Sequence, residues 1–213
     1  MTSKSDRGPP AHPDVEIIEA KSGFRRHLGI DVVRFRHRRF DGGWSGERVF
    51  DIIRRGGAVA ILLYDPERDC VVLIEQFRLA ALYAGFSPWQ IEAVAGLLDH
   101  GGEGAEDVAR REAREEADLD TVGALVPIQE FLPASGSLDE KVHLFCGRID
   151  ARKADAAGTF GVATEQEDIR LIVKSVAEIE TMLDTGAVAS AHTLIMLYWL
   201  LRHRERLRHQ WLS

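Results

Sequence analysis

The chain has 213 residues, of which 45% are hydrophobic, and a formal net charge of -7. This length suits one globular domain with a small appendage, and the acidic balance argues against a nucleic-acid partner. Two cysteines exclude a disulfide framework and a cysteine-based zinc site, and no apolar run approaches the roughly 20 residues of a membrane helix, so we expect no membrane partner.

The first 56 residues are predicted to form a flexible tail and a small sheet. Residues 1–13 contain three prolines, and they lack the apolar core of a secretory signal. Residues 14–56 contain three strand-like runs, and the turn residues Asp41-Gly42-Gly43 separate the last two runs. We therefore expect an antiparallel N-terminal sheet over 14–56 and a larger domain over 57–213.

The next part of the chain predicts a buried hairpin. Residues 57–64 form a continuous apolar run, and residues 70–77 follow after a turn that contains Pro66. Cys70 and Cys146 both lie in apolar runs. They are therefore predicted to be buried free thiols of a reducing, cytoplasmic compartment.

Helices and strands follow one another in the rest of the chain. A glycine-rich loop is expected over 95–104 and a helix over 105–117. Further strands are expected near 122–131, 141–149 and 168–174, and further helices over 175–185 and 190–209. Since strands dominate the first half and helices bracket the second, the pattern predicts a mixed α/β or α+β sandwich.

The negative charge is concentrated in one segment of the chain. Residues 92–120 hold ten acidic residues and three arginines. This segment therefore carries a net charge of -7, and the remainder of the chain is neutral. Such a concentration of like charge repels itself, so the sequence should contain a reason for it.

The predicted helix at 105–117 mixes its carboxylates with its apolar residues. At about 100° per residue, three glutamates share a face with Val108 and Ala109, whereas a solvated acidic helix separates the two kinds. Mg²⁺ binds carboxylate, water and phosphate oxygens and would remove the repulsion. A solvated helix with an Arg111–Glu115 ion pair is the alternative. The three glutamates are Glu112, Glu115 and Glu116.

The same region resembles a known family signature. Six residues separate Gly96 from Glu103, and seven more precede the run Arg-Glu-Ala-Arg-Glu-Glu at 111–116. The pattern resembles the Nudix box: Gly, five residues, Glu, seven residues, Arg-Glu, an apolar residue, any residue, Glu-Glu, any residue, Gly, an apolar residue. The runs VVLIEQFRLAA, SPWQIEAVAG and EQEDIRLIV extend the resemblance over most of 14–200. They are similar to the bacterial ADP-ribose pyrophosphatase branch of the Nudix hydrolases.

This resemblance implies a fold, a reaction and an assembly. The implied fold is an α/β/α sandwich around a mixed sheet, with the small N-terminal antiparallel sheet beside it. The implied enzyme uses Mg²⁺, or Mn²⁺ in its place, to hydrolyse a nucleoside diphosphate derivative, and ADP-ribose would give AMP and ribose 5-phosphate. The N-terminal sheet over 14–56 would exchange with a partner, so that a homodimer forms with substrate sites at its interface.

The resemblance also implies roles for single residues. Glu112 and Glu116 would bind the metal together with the Ala95 carbonyl, with Glu115 assisting, and Arg111 would orient the carboxylates. Glu103 would stabilise the loop or the start of the helix. In the loop over 158–168, Glu165 is assigned as the general base and Glu167 as a metal ligand, and the reverse assignment stays open.

Substrate contacts are assigned to residues outside the helix. Arg78 follows a buried strand and is expected to bind a phosphate, with a surface ion pair as the alternative. Glu140 would contact the base or ribose across the dimer, with a strand-edge charge as the alternative. Phe50 and Trp89 are candidates for stacking on a nucleobase, although isolated aromatic residues lie more often in a core.

Four departures from the family pattern keep other functions open. The loop before Glu103 is one residue longer, Asp118 replaces a glycine, and residues 133–139 replace a Ser-Pro-Gly-Gly stretch. Phe50 stands where an arginine is expected. The alternatives are therefore a pyrophosphatase for another nucleotide sugar, such as GDP-mannose, and a non-catalytic Nudix-fold ligand sensor. His143 and His192 are interpreted as structural because no histidine-based metal spacing accompanies them.

Overall fold

A computed structural model describes residues 8, 10–26, 28–98, 102–155, 159–161 and 168–213. The chain divides into two compact units. The first comprises Met1–Gly57 and Leu132–Lys141, and the second comprises Ala58–Phe131 and Val142–Ser213. The predicted tail at 1–13 lies largely outside the described residues. Among the described helices, none combines the length and the apolar character that a bilayer span requires.

The first unit contains the predicted small antiparallel sheet. Its strands are β1 (Val15–Arg25), β2 (Gly29–His37) and β3 (Arg48–Arg54), paired in the order β1-β2-β3. Most of their residues are exposed or only half-buried. Three strands with so little buried surface make a marginal sheet on their own.

The segment 132–141 is tied to β3 by its backbone. The Ile53 amide donates to the Ser137 carbonyl at 2.7 Å, and the Asp139 amide donates to the Ile53 carbonyl at 3.1 Å. The Asp139 carboxylate accepts from Arg54 Nε and from the Arg55 amide, each at 2.7 Å. These hydrogen bonds hold the pKa of Asp139 below its ordinary value despite the opposing effect of its burial.

The second unit is built on one large sheet. Within the described residues, eight strands pair in the order β10-β11-β5-β4-β9-β8, with β6 added to β5 and β7 to β4. Their bounds are β4 Gly57–Asp65, β5 Cys70–Phe77, β6 Trp89–Glu92, β7 Val94–Leu97, β8 Val122–Phe131, β9 Lys141–Arg148, β10 Thr159–Phe160 and β11 Ile169–Ser175. The predicted hairpin of β4 and β5 is confirmed.

Helices cover both faces of this sheet. They are α1 (Leu79–Tyr83), α2 (Ala105–Ala117), α3 (Val176–Asp184) and α4 (Ala191–Leu212), and a 3-10 helix covers Ala151–Asp155. One core joins α2 to Ile61 and Val72, and a second core joins α3 and α4 to Leu62 and Val71. Neighbouring residues of one strand face opposite cores. The expected α/β/α sandwich is therefore confirmed.

Several short elements were missed, and one boundary was wrong. The loop expected over 95–104 begins later, because Val94–Leu97 forms β7 and pairs with β4. The helix α1 and the strands β6 and β10 were not expected. Their two to five residues are too few for hydrophobic periodicity to reveal. Cys70 and Cys146 are buried and free, as predicted.

A cluster of charged residues attaches α4 to the turn between β4 and β5. Asp69 accepts from Arg204 Nε at 2.6 Å and from the Tyr64 hydroxyl at 2.7 Å, and Arg208 Nη1 lies 3.4 Å away. Burial alone would raise the pKa of Asp69, but the hydrogen bonds from Arg204 and Tyr64 keep it below its ordinary value. The ionised carboxylate therefore stabilises the folded state.

We expect Asp69→Asn to lower the free energy of unfolding by about 2 kcal/mol at pH 7, because it weakens charge-assisted hydrogen bonds. Asparagine, like aspartate, tolerates the left-handed backbone conformation of residue 69, where φ is +53°. Because the pKa of Asp69 is lowered in the folded state, its ionised carboxylate stabilises the fold at pH values above the unfolded pKa of 3.8. That stabilisation is lost as the pH falls through the folded pKa. The difference in the free energy of unfolding between variant and wild type, measured by urea titration, should therefore shrink as the pH falls from about 5 to about 3.

The control for this change is Asp184→Asn, at an exposed acid that ends α3. It should change the free energy of unfolding by no more than about 0.5 kcal/mol. An Asp69→Asn protein as stable as the wild type at pH 7 would show that the cluster does not hold α4 in place.

Candidate active site

The acidic helix α2 packs along the short strand β7. Val108, Ala109 and Ala113 face the core beneath the sheet, as the helical pattern predicts. Glu116 is only 4% exposed although it lies among these apolar residues. A buried carboxylate needs hydrogen-bond donors or a cation as partners, so Glu116 does not fit the alternative of a solvated helix, although the Arg111–Glu115 ion pair of that alternative is present.

Two glutamates of α2 meet two neighbouring residues of β7. The Glu116 carboxylate accepts a hydrogen bond from the Ala95 amide at 3.2 Å. The Glu112 side chain occupies the space beside Gly96, where an added Cβ atom would lie 1.9 Å from its Oε1 atom. Only glycine permits this approach. The sequence places Glu112 and Glu116 one helical turn apart. Both carboxylates lie against β7.

Arg111 lies among three of the predicted carboxylates. Its Nη1 atom is 2.6 Å from Glu115, its Nη2 atom is 2.9 Å from Glu112, and its Nε atom is 3.5 Å from Glu103. Burial would lower the pKa of Arg111, but Glu112 and Glu115 outweigh that effect and raise it. The guanidinium is therefore ion-paired with these glutamates, and its role in orienting them stays a prediction.

The donor set fits a hard divalent cation in part. Carboxylate oxygens are the ligands that Mg²⁺ prefers, and Mg²⁺ commonly takes one or two of them with water and phosphate oxygens. Because Gly96 has no Cβ atom, the Glu112 carboxylate occupies the space beside its backbone. Within the part of the chain that the structure describes, no three His, Cys, Asp or Glu side chains form a ready metal cluster. The residues present thus fit a site that substrate oxygens complete.

The substitution at Asp118 leaves the end of α2 intact. Asp118 adopts the left-handed conformation with φ +49° and ψ +36°, which aspartate tolerates better than most residues. Its amide donates to the Arg114 carbonyl at 3.0 Å, and the Leu119 amide donates to the Ala113 carbonyl at 3.1 Å. The helix therefore closes as a glycine-ended helix would.

Arg78 begins the segment that links β5 to β6. Its Nε atom donates to Glu92 at 2.8 Å, and its side chain is 44% exposed. Nearby, Trp89 packs edge to face against Phe77, with ring centroids 5.6 Å apart, yet half of Trp89 is exposed. Trp89 therefore does not fit the alternative of a core residue, and its contact with a nucleobase stays a prediction. A partly exposed arginine with one fixed donor can bind an anion through its remaining donors.

The other predicted substrate residues belong to the first unit. Glu140 accepts a hydrogen bond from Arg55 Nε at 2.9 Å. Phe50 packs edge to face on Phe35 at 5.3 Å and lies under the Arg48 guanidinium at 4.9 Å. Within that unit, Glu140 is thus part of an ion pair and Phe50 part of a surface cluster. Their predicted contacts with substrate stay predictions.

The two glutamates predicted for the loop over 158–168, Glu165 and Glu167, lie outside the described residues. The one-residue insertion before Glu103 is predicted in the region of Gly101 and Gly102, and Gly101 is likewise outside the described residues. His143 contacts Glu130 at 3.0 Å, and His192 contacts the Ser190 hydroxyl at 3.2 Å. Both contacts agree with the interpretation of the two histidines as structural.

Two residues of the site were missed by sequence reasoning. Glu92 was counted only as part of the segment charge, and Gly96 only as a motif position. No periodic signal identifies Glu92, because β6 has four residues and was not expected. The close approach of Gly96 to Glu112 depends on how β7 packs against α2, and a single sequence does not contain that distance.

Comparison with known proteins identifies relatives over most of the chain. The NUDIX domain model matches residues 54–181. An ADP-ribose pyrophosphatase of Escherichia coli (strain K12) is 42% identical over 198 residues, which are 93% of each chain. One of Haemophilus influenzae is 33% identical over 201 residues, covering 93% of this chain and 91% of the relative.

Two further similarities bear on specificity and fold. A GDP-mannose pyrophosphatase of Citrobacter koseri is 34% identical over 152 residues, which are 70% of this chain and 76% of the relative. A crystal structure of an ADP compounds hydrolase superposes with a TM-score of 0.70 over 95% of this chain and 99% of that one. At 17% identity, this second similarity supports the fold alone.

Proposed function

The chain belongs to the Nudix family, and from this premise we propose that it hydrolyses the pyrophosphate bond of ADP-ribose to AMP and ribose 5-phosphate. One observation carries the proposal most directly. The carboxylates of Glu112 and Glu116 are held side by side on β7, in a chain that is 42% identical to an ADP-ribose pyrophosphatase across 93% of both. One water molecule is consumed for each bond broken.

A divalent cation is part of this proposal. Glu112, Glu116 and the Ala95 carbonyl would hold Mg²⁺, or Mn²⁺ in its place, with Glu115 and Glu167 assisting. When bound, the cation neutralises the pyrophosphate charge and activates a water molecule for attack. The net charge of -7 in residues 92–120 supports a cationic partner, because uncompensated like charge would oppose folding of this segment.

The protein side chains have separate tasks in the reaction. Arg111 holds Glu112 and Glu115 in fixed orientations through its two terminal nitrogens. Arg78 binds a phosphate through donors that Glu92 does not occupy. Glu165 takes the proton of the attacking water, and the reverse assignment with Glu167 stays open. Together these groups position substrate and water, which is the main requirement of phosphoryl chemistry.

We also propose that the enzyme is a cytoplasmic homodimer that pairs through residues 14–56, with Phe50 and Glu140 contacting substrate near the interface. The described sheet of the first unit supports pairing, because Val49 is 60% exposed and Phe24 is 50% exposed. Exposed apolar side chains on a thin sheet favour a covering partner. The buried thiols of Cys70 and Cys146 agree with a reducing compartment.

We predict a dimer in light scattering at micromolar concentration. Val49→Lys should shift the population toward monomer, because it places a charge on the apolar surface that we expect to be covered. Asp184→Asn is the control, since it changes one exposed charge in the second unit. A wild-type monomer under these conditions would rule out the proposed assembly.

A nucleotide sugar such as GDP-mannose is the second candidate substrate. It is supported by the 34% identity to a GDP-mannose pyrophosphatase, by Phe50 and by the altered stretch 133–139. The third candidate, a non-catalytic ligand sensor, is opposed by the close packing of Glu112 and Glu116 on β7. A sensor has no need for this acidic arrangement.

One substrate panel separates the three candidates. The purified chain is incubated with Mg²⁺ and with ADP-ribose, GDP-mannose, other nucleotide sugars, dinucleotides or NADH, and nucleoside monophosphate release is measured. The highest kcat/KM for ADP-ribose is the expected result. A preference for GDP-mannose would establish the second candidate, and no release from any compound would favour the sensor.

A further inference from the structure

A buried group of polar residues lies beside Arg78. Most interiors exclude such residues unless they are hydrogen-bonded. The register aligns Gln76 with Gln90 and Ile74 with Glu92 across β5 and β6, so all four residues share one face of this ladder. The three polar ones are at most 8% exposed: Gln76, Gln90 and Glu92.

The Glu92 carboxylate receives two hydrogen bonds on a single oxygen. Its Oε2 atom accepts from Arg78 Nε at 2.8 Å and from Gln76 Nε2 at 3.2 Å. The Glu92 side chain is 9% exposed, whereas the Arg78 side chain is 44% exposed. A buried anion thus holds the base of a guanidinium whose outer part remains accessible to solvent.

The backbone around the pair is fixed as well. The Arg78 amide donates to the Pro88 carbonyl at 2.6 Å, and the Arg78 carbonyl accepts from the Ala81 amide at 3.1 Å. On the other side, the Ala93 amide donates to the Thr193 hydroxyl at 2.9 Å, so the first turn of α4 lies against the residue after Glu92. Both partners of the ion pair therefore start from restrained backbone positions.

The face of the sheet that carries Gln76 and Glu92 is the one that α2 covers. Ile74 packs in the core cluster that also contains Val108 and Ala109 of α2. By strand alternation, Gln76 and Glu92 lie on that face. The Arg78–Glu92 pair is therefore on the α2 side of the sheet, the side that carries Glu112 and Glu116.

We infer that Glu92 is a positioning residue for Arg78, and that it holds the guanidinium ready to bind the diphosphate group of the substrate. This inference rests on the proposed function, because it presumes that Arg78 contacts a phosphate. Within the described residues, Glu92 is the side chain that accepts from Arg78, and it engages Nε alone. The four Nη hydrogens are left for an anion, and a long side chain fixed in advance loses less conformational entropy on binding.

The neighbouring histidine favours this arrangement. His192 lies near both members of the pair, and its burial lowers its pKa although Glu92 opposes the change and Arg78 supports it. A neutral imidazole does not compete with Arg78 as a cation for the carboxylate. The pair of Glu92 and Arg78 is thus the principal charge interaction at this position.

A double-mutant cycle tests the inference. Arg78→Ala is expected to lower kcat/KM for ADP-ribose about 100-fold, because two charge-assisted hydrogen bonds are lost. Glu92→Ala should lower it at least about 10-fold, while Glu92→Gln, which keeps an accepting oxygen, should recover most of the loss. In the Arg78→Ala background, Glu92→Ala should change kcat/KM by less than about threefold.

The partition between KM and kcat is a second readout. Both single alanine variants should divide their loss between KM and kcat in the same way, because both weaken the same contact between Arg78 and the phosphate. Asp69→Asn is the matched control. It breaks another partly buried carboxylate–arginine pair of the same unit and should lower stability without changing kcat/KM below the melting temperature. Additive losses in the cycle would overturn the inference, and so would an Arg78→Ala enzyme with wild-type kcat/KM.

The same cycle is repeated with ADP binding, measured by calorimetry. A non-additive loss of affinity supports the positioning role even if no compound of the substrate panel is hydrolysed, in which case the proposed function alone fails. Equal effects of Glu92→Ala on ADP affinity with and without Arg78 would overturn the role of Glu92 while leaving the proposed hydrolysis in place.

Discussion

Glu116→Gln is expected to lower kcat for ADP-ribose by about three orders of magnitude, because it removes a charge from the proposed cation site. The amide oxygen of glutamine still accepts from the Ala95 amide, which donates to Glu116 at 3.2 Å. The substitution also relieves repulsion from Glu112. We therefore expect the free energy of unfolding to stay within about 1 kcal/mol of the wild-type value. Steady-state kinetics and urea unfolding measure the two effects on one preparation.

Glu112→Gln should behave in the same way, because its carboxylate is held against Gly96. The matched control is Glu106→Gln, which changes the same residue type on the exposed side of the first turn of α2. We expect wild-type kcat for this control. A Glu116→Gln enzyme with near-wild-type kcat, folded and stable, would remove the pair of glutamates from the proposed site.

Gly96→Ala is expected to lower kcat about 100-fold with little loss of stability. The added Cβ atom would lie 1.9 Å from Oε1 and 2.2 Å from Cδ of Glu112, so the carboxylate has to move by more than about 1 Å, a displacement that can cost this much in rate. The atoms it meets are the end of a flexible side chain. The free energy of unfolding should therefore fall by no more than about 1 kcal/mol.

Gly147→Ala supplies the converse control. Its Cβ atom would lie 2.8 Å from Thr121 Cγ2 and 3.0 Å from Ile61 Cδ1, in a packed part of the sheet far less able to adjust. We expect it to lower the free energy of unfolding by about 1–3 kcal/mol and to leave kcat unchanged at temperatures where the protein is folded. If Gly96→Ala shows this same pattern, the contact with Glu112 serves packing rather than catalysis.

The parts of the fold that sequence predicted are those with a strong local signal. The helix predicted over about 105–117 is α2, whose apolar residues recur at helical spacing over 13 residues. The hairpin of β4 and β5 followed from two apolar runs around one turn. By contrast, β6 and β7 have four residues each and are separated by Ala93 alone. Such segments become strands only because the edges of β5 and β4 accept their hydrogen bonds.

The candidate site was predictable to a similar extent. The spacing of Glu112 and Glu116 placed them on one face, and the resemblance assigned their chemistry. The sequence did not reveal that Arg78 would be held by Glu92, because the two are 14 residues apart and meet only when β6 pairs with β5. Long-range contacts of this kind depend on strand register, which local pattern does not determine.

The concentration of the net charge of -7 in residues 92–120 has a physical explanation if a divalent cation completes the site. The most direct test is the release of AMP from ADP-ribose by the purified chain, measured after chelation with EDTA and again during titration with Mg²⁺. We predict that turnover is lost on chelation and restored by Mg²⁺ in the wild type, whereas Glu116→Gln is not restored. Undiminished turnover after chelation would contradict the proposed role of Glu112 and Glu116.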